Sequence, residues 1–191
     1  MKVAFKLVVI GMCLSCITLV VACGSKSGGS PSPAPPSPTP QKQAAEYFKE
    51  LAPVLKVDKA LSKKTSKLTK MELKDRDDAY SVAAAIDGAL LPEIERAQEM
   101  LATIKPPPQF RVAHARLRQE WALAYDFLYF MSDSLRGAVF TQTVDPGFKA
   151  KGDRYVARAR RVSREYDIAI RAGAKTSHVK VPKRLLLETS F

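Results

Sequence analysis

The chain has 191 residues and carries 31 Lys and Arg against 19 Asp and Glu, a formal net charge of +12. Three cysteines and two histidines leave little material for a disulfide framework or a multi-ligand metal centre. Glycine is scarce after Gly29, and β-branched residues do not alternate with polar ones, so a sheet is not expected.

The chain opens with Lys2 and Lys6, then an apolar run from Leu7 to Ala22. This is the order of a charged n-region and an apolar h-region in an export signal. The run is shorter than the ~20 residues a bilayer core requires, and Gly11, Ser15 and Thr18 weaken it as a transmembrane anchor. It closes on Leu19-Val20-Val21-Ala22-Cys23, branched aliphatics and a small residue before a cysteine. That ending resembles the lipobox of bacterial lipoprotein precursors, and the resemblance covers residues 1–23 alone. It implies a diacylglyceryl group on the sulfur of Cys23 and cleavage by signal peptidase II between Ala22 and Cys23. It also implies acylation of the new amine and a lipid-anchored, extracytoplasmic location on the cell membrane or an outer membrane. Cys13 and Cys16 would leave with the signal, residues 1–22, and Cys23 would carry lipid. The mature chain would then keep no free thiol.

Residues 23–40 pair the lipidated cysteine with a tether of almost pure Gly, Ser and Pro. Such a segment cannot bury enough apolar surface to offset its ordering entropy. Its Gly/Ser half is expected to be a coil and its Pro-rich half a stiffer polyproline II spacer.

Residues 41–191 are long enough for one domain with a real core. Their apolar positions recur at helical spacing. A first helix over about 41–69 offers Phe48, Leu51, Leu55 and Leu61, with a break or kink at Pro53. A second over 77–105 carries Ile86, Leu90, Ile94 and Leu101 and is expected to kink near Gly88, one turn before Pro92. The acids Asp75, Asp77 and Asp78 suit the start of that helix as cap and dipole partners. The third, from Pro108 to about Thr141, has the clearest stripe: Ala113, Leu117, Trp121, Ala124, Leu128, Met131 and Leu135. The fourth runs from about Pro146 to Ala172, with Asp145-Pro146 read as cap and first position and Gly173 as the stop. Four such segments with short connections predict an all-α, antiparallel four-helix bundle with kinked first and second helices. Leu185-Leu186-Leu187 is placed to fold back over a groove of that bundle.

Bundles of this kind can hold haem or metals, yet there is no Cys-x-x-Cys-His, no His-Glu-x-x-His and no Glu-x-x-His. His114 is the one imidazole on an apolar face, so a cofactor-binding bundle using His114 is the alternative reading. No Gly-x-Ser-x-Gly elbow or glycine-rich phosphate loop appears, and an enzyme is not expected. No cofactor, metal site or catalytic residue is assigned.

Charge is the remaining signal. Twelve basic residues fall between Lys149 and Arg184, opposed only by Asp153, Glu165 and Asp167. Arg154, Arg158 and Arg161 are expected along one flank of the last apolar stripe, and Arg160, Arg164 and Arg171 along the other. No nucleic-acid recognition motif accompanies them. In the compartment implied by the lipobox, the anionic partners at hand are acidic lipids and wall polymers, beside an unidentified envelope protein. The expectation is a non-catalytic binding or structural module of the cell envelope, held at the membrane by its lipid.

Overall fold

The protein is described by a computed structural model over residues 38–68, 75–141 and 147–187. The signal, the lipobox with Cys23, most of the tether, Asp145-Pro146 and the last four residues lie outside these described residues. What is described is an all-α helical bundle, with no strand among the described residues. None of its helices is long and apolar enough to cross a membrane.

Helix α1, Pro40–Leu68, buries Ala44, Tyr47, Phe48, Leu51, Val54, Leu55 and Leu61 along one side. It runs unbroken through Pro53, which is exposed. Helix α2, Arg76–Ala85, starts at Asp75, whose carboxylate accepts the Asp78 backbone N–H at 2.9 Å. Asp77 and Asp78 occupy its first turn, where negative charge is favoured.

Between α2 and α3, Leu91–Thr103, residues Ile86–Leu90 form a π-helical turn. The Leu91 N–H reaches back five residues to the Ile86 carbonyl. Pro92, just beyond, has no N–H to donate and its ring crowds the carbonyl one turn back, and the wider turn accommodates both effects.

Pro106-Pro107-Pro108 leads into one 3-10 turn, Pro108–Phe110, closed by the Phe110 N–H on the Pro107 carbonyl at 2.9 Å. Helix α4, Arg111–Thr141, follows at once. Its expected stripe is the core: Ala113, Leu117, Trp121, Leu128, Met131 and Leu135 are buried, and Ala124 packs at their edge.

Helix α5, Phe148–Thr176, buries Val162, Ser163, Tyr166, Ile170, Gly173 and Ala174. Contacts pair Arg116 with Glu165, Glu120 with Ser163, Phe127 with Tyr155 and Phe130 with Phe148. Numbers rise along α4 as they fall along α5, so these two helices run in opposite directions.

The stop expected at Gly173 is corrected here. The helix continues to Thr176 with Ser177 as its cap. The Val179 N–H then bonds the Ala174 carbonyl at 3.0 Å and the His178 N–H bonds the Lys175 carbonyl at 3.1 Å. This is a Schellman closure, and its left-handed residue is His178, at φ 52°. Gly173 answers a different need: a Cβ there would lie 2.5 Å from the Gln109 carbonyl oxygen. The helix and the 3-10 turn touch backbone to backbone at that point.

Leu185, Leu186 and Leu187 are buried, as a fold-back over the bundle requires. Tyr166 Oη donates to the Leu185 carbonyl at 2.8 Å, and the Leu187 N–H donates to Asp167 Oδ1 at 2.9 Å.

Candidate functional site

Three features of the bundle carry polar chemistry. The first is the solvent face of α5. Its periodicity puts Val162, Tyr166, Ile170 and Gly173 inward, which turns Arg154, Arg158, Arg161, Arg164 and Arg171 outward, and all five are exposed. Arg160 departs from the expected flank: it is half-buried, with its Nε inside the protein.

The three acids of this segment offset only part of the outward charge, since twelve basic residues face them. Glu165 is shared between Arg116, at 3.0 Å, and Arg161, at 3.6 Å. Asp153 pairs with Lys149 at 2.7 Å. Asp167 is half-buried and accepts the Leu187 N–H. Ion pairs this exposed contribute at most about 1 kcal/mol each, so they fix charge balance rather than stability.

The second feature is interior. His114 is buried, with Nε2 3.1 Å from the Leu101 carbonyl and Nδ1 3.3 Å from Tyr47 Oη. A carbonyl only accepts, so Nε2 carries the proton and Nδ1 accepts from the tyrosine. Burial lowers the His114 pKa, the Leu101 bond opposes that, and nearby Arg118 adds to it. Phe110 stacks on Tyr47 with centroids 5.0 Å apart, and Phe48 meets Phe110 edge-on at 5.3 Å. The imidazole thus ties α1 to α4 and to the end of α3. Both ring nitrogens are already engaged, and service as a ligand would cost one of these bonds.

The interior also holds two acids that the sequence analysis does not single out. Asp58 is buried on α1, and burial pushes its carboxyl up to about 6. Glu120 on α4 is pushed up to about 7, chiefly by burial; the Ser163 hydrogen bond opposes this, and the charges of Asp58 and Asp167 add to it. Asp58 Oδ2 and Glu120 Oε2 have no hydrogen-bond partner among the described residues. Ser163 Oγ is 2.9 Å from Glu120 Oε1 and 3.0 Å from the Ala159 carbonyl. The Ser163 hydroxyl donates, and its one proton is shared between these two acceptors. Among the described residues, no three His, Cys, Asp or Glu side chains gather as a metal-ligand set.

The third feature is a cleft of about 320 Å³ beside the π turn, lined by Asp87, Glu95, Tyr125, Tyr129, Asp133 and Arg136 among others. Tyr125 and Tyr129 stack nearly parallel, 8° apart with centroids at 6.4 Å. Arg136 pairs with Asp87 across its wall.

Of the residues singled out in the sequence, five arginines share one surface, Arg160 and His114 turn inward, and Cys23 lies outside the described residues. No family model, curated protein or solved structure matches this chain.

Proposed function

We propose that this chain is a lipid-anchored, extracytoplasmic lipoprotein whose helical domain acts as a non-catalytic binding module on anionic surfaces of the cell envelope. The observation that carries the binding part is the outer face of α5, where five arginines are exposed and two of the three local acids are paired with basic side chains. The anchor rests on the lipobox resemblance over residues 1–23. Arginines on such a face lay their aliphatic stems along the bundle and hold their heads in water, ready for phosphate oxygens. Each basic group near an anionic membrane is worth about 1 kcal/mol, and a tether that keeps the domain close makes a weak surface effective.

Two measurements test the two halves. A palmitate analogue fed to cells should label the wild type and not Cys23→Ala, which should also keep its signal; equal labelling of both refutes the anchor. The chain from Gly24 onward, made without lipid, should sediment with anionic vesicles at low salt more than with neutral ones. Equal sedimentation leaves the arginines as a solubility device.

A further inference from the structure

Helical geometry sorts the exposed face of α5 further. Residues seven apart on a helix fall almost in line, and Arg154, Arg161, Ile168 and Lys175 form such a line over about 30 Å. Arg164 and Arg171 run beside it, both exposed. Ile168 is the exception in this basic row. At 69% it is the most exposed of the large hydrophobic side chains among the described residues, ahead of Val112 at 64%.

Single exposed apolar side chains are common on protein surfaces, and what sets Ile168 apart is its place in the middle of a basic row. A polyanionic wall polymer gains nothing from it, since such a chain offers phosphates but no apolar phase. A bilayer offers both at the right depth. Phosphates lie in the headgroup layer, and the acyl boundary starts just beneath, within the ~5–10 Å that an interfacial helix reaches. Arginines above and below Ile168 can spread to phosphates while the branched side chain points between them.

We infer that α5 lies along an anionic phospholipid bilayer, with the Arg154–Arg161–Ile168–Lys175 line facing the lipid and Ile168 entering the interface. This rests on the binding face proposed above and names its partner as lipid rather than polymer. The glutamate nearest the line, Glu165, is paired most closely with Arg116, at 3.0 Å, which leaves Arg161, 3.6 Å away, able to turn to a headgroup phosphate.

The test uses the full chain, purified from a bacterial host and reconstituted into vesicles. Ile168→Cys carries a polarity-sensitive fluorophore, and Tyr80→Cys on α2, also an exposed position, carries the same dye as a control. One vesicle set is phosphatidylcholine, a second adds phosphatidylglycerol, and a third is phosphatidylcholine with soluble polyphosphate. The Ile168 label should shift to the blue with phosphatidylglycerol alone, while the Tyr80 label stays put. The shift should vanish in roughly 1 M salt, where the Debye length is about 3 Å, and in a chain that also carries Arg154→Glu and Arg161→Glu. Equal emission in the first two vesicle sets overturns the inference, and an equal shift with polyphosphate assigns the face to polymer and overturns it too. Intact mass reports separately whether Cys23 is lipidated. A chain without lipid refutes the anchor alone; Cys13, Cys16 and Cys23 are then replaced by serine in both labelled variants so that only the introduced cysteine takes the dye, and the comparison of the vesicle sets still decides the contact.

Discussion

Gly173 and Phe110 meet at a distance that no side chain could occupy: a Cβ on Gly173 would fall 2.7 Å from Phe110 Cδ1 and 2.8 Å from Cε1. The ring cannot swing away freely, because it is stacked on Tyr47 and fully buried. The nearest atom of all is the Gln109 carbonyl oxygen, which belongs to a backbone turn. Gly173→Ala must therefore push α5 off the 3-10 turn, and should cost about 1–3 kcal/mol as overpacking does. Gly137, inside α4, has nothing within 4 Å of the same added carbon. There the identical change should stabilise by about 0.5–1 kcal/mol, through lost backbone freedom in the unfolded chain. Denaturant midpoints of the two variants should move in opposite directions from wild type.

The end of the same helix offers a gain. His178 holds the left-handed position of the Schellman closure, at φ 52°, where a Cβ is strained. Its side chain is exposed, so little packing is lost on removal. His178→Gly should raise stability by about 0.5–1 kcal/mol with an unchanged denaturant slope. A lower midpoint would show that the imidazole makes a contact of value.

Stability should also depend on pH through the interior acids. The folded-state pKa of Glu120 is raised from 4.5 to about 7, and that of Asp58 from 3.8 to about 6. The folded protein therefore binds more protons than the unfolded chain between about pH 4 and 7, and stability falls as pH rises through that window. The stabilisation is complete below the ordinary carboxylate range and gone above about pH 7. Glu120→Gln keeps the neutral shape and should flatten the curve. Its melting temperature should match wild type near pH 4 and exceed it near pH 8, by roughly 2–4 °C for each 1 kcal/mol regained. Parallel wild-type and variant curves would mean that Glu120 ionises without penalty.

The helices were legible in the chain because burial imposes a period, and the stripe from Ala113 to Leu135 follows it almost without exception. The π turn at Ile86–Leu90 and the role of Gly173 were not legible, since each depends on a neighbour distant in space or on how a proline is absorbed. Glycine near a helix end reads as a stop by local rules; only the turn at Gln109 and Phe110 shows why it lies within the helix. Asp58 and Glu120 did leave a signal. Asp58 stands on the apolar stripe of α1 between Leu55 and Leu61, and Glu120 lies between Leu117 and Ala124, where a solvated carboxylate would not be placed. The exposed arginines were readable from the wheel, whereas the inward turn of Arg160 required the packed structure.

Trp121 is the single tryptophan of the chain and is 3% exposed on the core side of α4. Indole emission follows the polarity around the ring, so the native protein should emit to the blue and shift red as the bundle opens. With only one such ring, the signal has one origin. The protein thus carries its own optical gauge at the centre of the bundle, which reads every unfolding curve described above without an added label.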